Sequence, residues 1–194
     1  MRMDSGAARA GAVACFVLAH ASAQTGSEQP ATAPVGFVNF EMRYPEEVKD
    51  TAPAFATSAD VDRARAVNNT VNGDITWQVT RLWTIAPDGP ANGDYKTYAL
   101  TKRHDLRLAG VPEGALRLVV VRSTFYEQEH MLLEIRGRNG IFVLDSLPAA
   151  GGATFYPAAA MPTAYTVLKY EDWGRPEHWL APSWTSARLS PAER

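Results

Sequence analysis

A turn that leads into a predicted helix is the stretch where a reactive side chain could stand. Gly93 permits a tight turn, Asp94 can cap free N–H groups, and a helical pattern runs over residues 95–109 until Gly110 ends it. Unpaired N–H groups and the helix dipole favour negative charge at this end. A cysteine there would have a lowered pKa and could act as a nucleophile. In this chain the residue is Tyr95, which is poorly suited to that role.

A predicted β-hairpin carries a histidine and an aspartate that could act together. Strands are predicted over residues 130–136 and 141–145, joined by Gly-Arg-Asn-Gly, a strong turn signal. With a two-residue loop, His130 faces position 147 or 149, so Asp145 lies on the same side of the sheet. A three-residue loop would reverse this relation. On one face, the Asp145 carboxylate could accept a hydrogen bond from the His130 imidazole and orient it for acid–base chemistry.

Three short motifs surround these residues in a fixed order. They are Gly-Asp-Tyr-Lys-Thr-Tyr-Ala-Leu at 93–100, Glu-His-Met-Leu-Leu at 129–133 and Val-Leu-Asp-Ser-Leu at 143–147. Their order and spacing resemble the bacterial transglutaminase-like cysteine peptidases, a family of exported proteins with a papain-type arrangement. The resemblance covers roughly residues 36–145, with a weaker match to the end. It implies a papain- or transglutaminase-like α+β fold, with a central helix packed on an antiparallel sheet in a single domain over residues 36–194.

The resemblance also implies a catalytic site at Tyr95, His130 and Asp145, with Tyr95 at the position of the family's nucleophilic cysteine. The family mechanism needs a thiolate that attacks a carbonyl, a histidine that donates a proton and an aspartate that fixes the imidazole. A phenol has a pKa near 10, against about 8.5 for a thiol. The larger ring would also fill the space of a substrate carbonyl. We therefore expect an inactive or impaired peptidase homologue that retains a cleft for a protein or peptide substrate or partner.

Other features of the family are absent from this sequence. Its members often carry a pair of cysteines near the start of the mature domain, where Glu41 and Val48 stand here. In the adhesin-cleaving members, acidic residues around the nucleophile bind calcium, whereas Lys96 and Thr97 follow Asp94 and Tyr95 here. No histidine pair has metal-ligand spacing, and no glycine-rich loop carries the lysine and hydroxyl of a phosphate site. We therefore expect no metal and no other cofactor.

Two other functions remain open from the residues alone. Ser123 or Thr124 could be the nucleophile of an active hydrolase or acyl transferase, provided that one hydroxyl lies within hydrogen-bond reach of His130. Alternatively, the chain could be a structural or interaction protein in which His130 and Asp145 form an ordinary cross-strand pair. On the predicted central helix, His104 lies beside Lys102 and Arg103 and is expected on a solvated face.

Several further elements must position these side chains. Thr57 to Asp60 fits a capping box that opens a helix over residues 57–73, and an apolar run over 116–123 predicts a buried strand. A short helix or turn is predicted over 36–45, and a strand over 165–170. Three tryptophans near the end of the chain are expected to close the core: Trp173, Trp179 and Trp184.

The first 23 residues have the pattern of a secretory signal peptide. Arg2 and Arg9 precede an apolar run over residues 10–21, and Ala-Ser-Ala at 21–23 forms a cleavage site. The apolar run is too short for a membrane anchor. We therefore expect a periplasmic or secreted protein whose residues 24–35, which are polar and contain prolines, form a disordered leader. Cys15, the only cysteine, would leave with the signal peptide.

Composition and charge limit the classes of partner. The chain has 194 residues, of which 46% are hydrophobic and 21% charged, which suits one domain with a substantial core. Its net charge is −2, and loss of Arg2, Arg9 and Asp4 would make it about −3. No basic surplus points to nucleic acid or to an anionic membrane surface.

Overall fold

The helices of this protein form one side of an α+β architecture, and most of the strands follow them along the chain. The computed structural model describes residues 28–124, 128–149 and 151–183. Helix α1 spans Phe37–Arg43, α2 spans Ser58–Asp74 and α3 spans Tyr95–Leu108. Short 3₁₀ turns cover Pro45–Glu47, Glu113–Ala115 and Ala158–Ala160.

The strands form a large antiparallel sheet and a small parallel pair. In chain order they are β1 Glu28–Ala31, β2 Ile75–Trp77, β3 Ala91–Gly93, β4 Leu116–Ser123, β5 Gln128–Gly137, β6 Gly140–Leu144, β7 Phe155–Pro157, β8 Tyr165–Asp172 and β9 Arg175–Pro182. Seven strands of the described residues pair in the order β1-β9-β8-β4-β5-β6-β7, and β2 pairs with β3. The predicted fold class, a central helix on an antiparallel sheet, is confirmed.

Strand β1 corrects the prediction of a disordered leader over residues 24–35. Its four residues pair antiparallel with β9, and the Trp83 indole N–H donates to the Val35 carbonyl at 3.0 Å just beyond it. The polar, proline-bearing sequence lacks a core of its own, and the distant strand β9 supplies the missing backbone partners. Residues 24–27 and the predicted signal peptide lie outside the described residues.

Helix α2 begins as its sequence predicts. The Thr57 hydroxyl accepts from the Asp60 N–H at 3.2 Å, and the Asp60 carboxylate accepts from the Thr57 N–H at 3.0 Å. This reciprocal pair satisfies two backbone donors that have no partner inside the helix. Ala64, Asn68 and Val71 are buried at steps of three and four residues, so one side of α2 faces α3 and the ends of β5 and β6.

Helix α3 lies between the sheet and α2 and is covered on most of its sides. Lys102 is 1% exposed and Arg103 is 6% exposed, so the predicted solvated face is wrong. Arg103 donates to the buried Glu171 at 2.8 Å, and His104 Nδ1 lies 2.6 Å from the Glu47 carboxylate. Charged residues on a helix predict an exposed face only when no other helix or strand packs against that face. The tertiary fold determines which elements pack there.

The two faces of the sheet form separate apolar clusters. One face packs against the helices through residues such as Leu118, Leu133 and Ile135. Residues of the opposite face, among them Val121 and Leu132, form the second cluster. Because strand residues alternate between faces, this division follows directly from the register of β4 and β5.

The predicted role of the tail tryptophans is confirmed for Trp179, which is 2% exposed and meets the Phe37 ring edge to face at 5.3 Å. Trp173 is only half-buried, and the guanidinium groups of Arg117 and Arg136 stack on its ring at 4.3 and 4.5 Å. Trp184 lies outside the described residues.

Within the described part of the chain, no helix is long and apolar enough to cross a bilayer.

Candidate functional site

The start of α3 is held in place by Asp94. Its Oδ1 accepts the Lys96 N–H at 3.0 Å, and its Oδ2 accepts the Lys96 ammonium. The same Oδ2 accepts from the N–H and the hydroxyl of Thr80, at 3.2 and 3.1 Å. The predicted N-cap is therefore confirmed, and it also fastens the loop after β2 to the first turn of the helix.

Gly93 is required by a close approach to the helix. An added Cβ would lie 2.5 Å from both Cβ and Cγ2 of the buried Thr97. The backbone of Gly93 also accepts the N–H of Gln78 at 2.9 Å, where β2 and β3 run side by side. A glycine here lets Tyr95 stand directly after the β3 strand, at the N-terminus of α3.

The hairpin has the register that brings His130 and Asp145 together. Leu133 pairs with Leu144, and Gly137 pairs with Gly140, so the turn contains two residues. His130 Nε2 lies 2.7 Å from Asp145 Oδ1. Because a carboxylate only accepts, the imidazole Nε2–H is the donor, and Nδ1 is the ring nitrogen left for another group. The side chains are 4% and 0% exposed, so the pair is shielded from water.

Asp145 accepts four hydrogen bonds from described residues. Besides His130, the Leu147 N–H donates to it at 2.9 Å, and the hydroxyls of Tyr156 and Tyr165 donate at 2.7 and 3.2 Å. Burial pushes the pKa of Asp145 up, but the hydrogen bond and charge of His130 and the bonds from Leu147 and Tyr156 hold it below its usual value. The carboxylate therefore stays ionised and fixes the imidazole. Sequence reasoning missed both tyrosines, which come from β7 and β8 and have no motif.

Tyr95 lies beside His130 without a hydrogen bond to it in the described structure. The two rings meet edge to face with centroids 5.9 Å apart, and the Lys96 ammonium lies 4.6 Å from the Tyr95 ring centre. Burial, then the charges of Asp94 and Glu129, raise the pKa of the Tyr95 phenol above its usual value. The three predicted site residues are thus brought together, but the phenol is not paired with the imidazole as a nucleophile would be.

Neither alternative nucleophile is paired with the histidine. Val121 pairs with His130, and Ser123 pairs with Gln128, which places Ser123 diagonally from His130 on the same face. The Thr124 hydroxyl donates to the Ala164 carbonyl at 3.4 Å. Among the described residues, His130 hydrogen bonds to Asp145 and to neither of these hydroxyls.

Tyr95 takes part in the lining of two cavities. The first, of about 310 Å³, is lined by Trp77, Tyr95, Gln128, His130, Ser146 and Leu147. We call it the Trp77 pocket. The second is a groove of about 550 Å³, between the arm of residues 32–35, the loop at 81–83 and residues of β4, β5 and β8. We call it the Arg81 groove. Because Tyr95 lines both cavities, together they form one cleft around it.

Lys102 lies behind this cleft, deep in the protein. It follows Tyr98 by four residues on α3, and its ammonium lies 5.8 Å from the centre of that ring. The ammonium makes no ion pair with any described carboxylate. Burial lowers the pKa of Lys102 to about 7, although the charge of Asp145 acts in the opposite direction. No signal in the sequence separates this lysine from the exposed ones.

Comparison with known proteins identifies the family. The model of the bacterial transglutaminase-like cysteine proteinases, BTLCP, matches residues 27–185. The chain belongs to this family. The match begins close to β1 and includes the whole cleft, so the resemblance predicted from three short motifs is confirmed. Among curated proteins, no match was found.

Solved structures of LapG from Legionella pneumophila are similar to this chain at 20% sequence identity. The EGTA-treated form has a TM-score of 0.49, with 66% of this chain and 69% of that chain covered. The calcium-bound form has a TM-score of 0.44, with 59% and 71% covered. A third LapG structure has a TM-score of 0.48, with 64% and 70% covered.

The residues of this chain do not suit a calcium ion next to Asp94. The Lys96 ammonium already binds that carboxylate, so a divalent cation there would meet a like charge. Calcium needs six to eight oxygen ligands. In the described ranges, no group of three or more His, Cys, Asp or Glu side chains could hold a metal ion.

Proposed function

We propose that this protein is an exported member of the transglutaminase-like cysteine proteinase family that binds a polypeptide in the cleft around Tyr95 without hydrolysing it. The observation that carries the proposal is Tyr95 itself. A phenol stands at the N-terminus of α3, beside a buried histidine that an aspartate orients. We propose that Tyr95 occupies the position from which the cysteine thiolate of an active family member would attack a substrate carbonyl.

The chemistry of the phenol disfavours hydrolysis. Its pKa lies above the ordinary value near 10, so very little phenolate exists at neutral pH. The dipole of α3 can offset only about 1 kcal/mol of that cost. Loss of the nucleophile removes most of the acceleration in enzymes of this kind. The buried pair of His130 and Asp145 is therefore compatible with a site that binds and does not cut.

The cleft itself supports binding. The Trp77 pocket and the Arg81 groove, of about 310 and 550 Å³, both adjoin Tyr95. Trp77 is 55% exposed at the rim, a large apolar surface that a ligand could cover. Peptides bind to such clefts through backbone hydrogen bonds and side-chain pockets.

The test compares peptidase activity of the native protein with that of Tyr95→Cys on a mixed protein substrate. We expect no turnover by the native protein and measurable turnover by Tyr95→Cys, because the new thiolate can attack a carbonyl and His130 can donate a proton to the departing amine. His130→Ala in the Tyr95→Cys background should abolish that turnover. Tyr95→Ala is the matched control, since it opens the same space without adding a nucleophile.

Two outcomes would contradict the proposal. Hydrolysis by the native protein that Tyr95→Ala leaves intact would mean that another nucleophile, such as Ser123, does the chemistry. An inert Tyr95→Cys protein that retains its fold by circular dichroism would mean that the cleft is not a disarmed peptidase site.

Export is a separate part of the proposal. It is supported by the two arginines, the apolar run over residues 10–21 and the Ala-Ser-Ala at 21–23. We expect the mature protein in the periplasm or outside the cell. Mass spectrometry of the mature N-terminus after expression in a Gram-negative host tests this, with Gln24 as the expected first residue. An intact N-terminus in the cytosolic fraction would refute export.

A further inference from the structure

The two cavities beside Tyr95 differ in chemistry, and this difference restricts what the cleft can bind. We propose that the ligand is an extended polypeptide segment that carries an apolar side chain for the Trp77 pocket and, a few residues away, acidic side chains for the Arg81 groove. This inference rests on the binding function proposed above.

The Trp77 pocket suits an apolar side chain. Most of its surface is apolar, although Gln128, His130 and Ser146 line it beside Trp77, Tyr95 and Leu147. The volume of about 310 Å³ is large enough for one large side chain and too small for a folded protein domain. A leucine or phenylalanine side chain that enters it would remove apolar surface of both molecules from water, the main favourable term in such contacts.

The Arg81 groove carries cations whose charge is not fully neutralised. Arg81, Lys96 and Lys169 line it, and Glu129 is the one carboxylate among its described lining residues. Lys96 is paired with Asp94. Lys169 donates to the Thr32 carbonyl at 2.9 Å, which satisfies a donor but leaves its positive charge. Arg81 and Lys169 therefore outweigh Glu129.

This local balance is opposite to that of the whole chain, whose net charge is −2. A positive groove on an acidic protein attracts negative ligands and repels basic ones. Arg81 is exposed in the loop after β2, so a ligand can reach its guanidinium. The guanidinium suits a carboxylate because it can donate two parallel hydrogen bonds to it.

An extended chain satisfies both cavities at once. Tyr95 lines both of them, so a ligand that passes along Tyr95 contacts the Trp77 pocket and the Arg81 groove. Val35 and Leu82, exposed at 98% and 60%, add apolar surface near the rim of the groove. A nucleic acid is disfavoured, because phosphate backbones need more cations than Arg81 and Lys169 supply.

Fluorescence anisotropy with labelled peptides of about ten residues tests this ligand class. Each peptide has a Gly-Ser background, one leucine, and two glutamates about two to three positions away, in both orders along the chain. Counterparts replace the glutamates by lysines or by glutamines, or the leucine by serine. We expect the acidic peptide to bind at least about tenfold more tightly than the basic one, with a difference that shrinks at high salt.

Variants of the protein locate the two contacts. Arg81→Gln should weaken binding of the acidic peptide by about fivefold and leave the glutamine peptide unaffected. Trp77→Ala should weaken every leucine peptide by about tenfold and the serine peptide very little. Arg138→Gln is the matched control: it removes an exposed arginine from the turn between β5 and β6 and should change nothing. Thermal melts show whether each variant is folded.

The outcomes separate this inference from the proposed function. Equal binding of acidic, neutral and basic peptides, or an unchanged affinity in Arg81→Gln, would overturn the acidic specificity and leave polypeptide binding in place. Binding of none of the peptides by the folded native protein would overturn both. Preference for the acidic peptide, lost in Arg81→Gln and kept in Arg138→Gln, supports the inference.

Discussion

Replacing Lys102 by methionine should stabilise the protein, although it removes a charged residue from the central helix. The lysine is fully buried and its pKa is lowered to about 7 from 10.5. Folding therefore has to discharge the ammonium or bury it without an ion pair. A difference of about 3.5 pKa units corresponds to about 5 kcal/mol, and about 4 kcal/mol of this cost remains at pH 7, where half of the folded molecules keep the charge.

The sign of the pH dependence follows from the same numbers. Between pH 7 and 10.5 the unfolded chain binds more protons at Lys102 than the folded protein does, so native stability rises with pH. The methionine variant has no such titration. Its advantage in the free energy of unfolding should be about 4 kcal/mol at pH 7, should approach about 5 kcal/mol at lower pH and should nearly disappear by pH 10.5. For a domain of this size, this equals a rise in melting temperature of about 10 °C at pH 7.

Urea denaturation of the native protein and of Lys102→Met at several pH values measures the difference. Lys96→Met is the control, since Lys96 stands on the same helix, is also buried, and pairs with Asp94. It should destabilise by about 2 kcal/mol, because Asp94 would lose its buried partner. A Lys102→Met protein that is less stable than the native one at every pH would refute the reasoning and show that the ammonium has a favourable partner in the folded state.

Three further predictions concern the supports of the site. Gly93→Ala should cost about 3 kcal/mol in the free energy of unfolding, because its Cβ would lie 2.5 Å from Thr97; a gain in stability would exclude this contact. Asp145→Asn should destabilise the protein by about 3 kcal/mol at pH 7. Because the pKa of Asp145 is lowered in the folded protein, the stabilisation by its carboxylate is present above about pH 4 and is lost as the pH falls through the folded pKa. The difference in the free energy of unfolding should therefore shrink in acid titrations, and a constant difference would argue against an ionised carboxylate. Thr57→Ala should cost about 1 kcal/mol in thermal melts by removing the cap of α2, with a null effect contradicting the capping role.

Much of the site could be predicted from local patterns. The cap at Thr57, the helix that begins after Asp94 and the two-residue turn at 138–139 each depend on contacts within a few residues. The register of the hairpin followed from the turn, and it placed His130 and Asp145 on one face. Such contacts are present in the sequence itself, because chain geometry allows few arrangements over short separations.

Other features could not be found in this way because their partners are far apart along the chain. The two tyrosines that donate to Asp145 come from different strands, and neither lies in a motif. Strand β1 forms only because β9, about 150 residues later, offers its edge. Both cases need the order of strands in the sheet, which no local pattern contains.

The sequence by itself determined the family, the main helices, the hairpin and the unusual phenol at Tyr95. Only the tertiary structure decided which charged residues of α3 are buried. The expected solvated face at 102–104 instead contains a buried lysine without an ion pair among the described residues, a buried ion pair and a half-buried histidine. The physical reason is that propensity, capping and register act between neighbours in the chain. Burial and pKa depend on whichever elements the fold brings alongside.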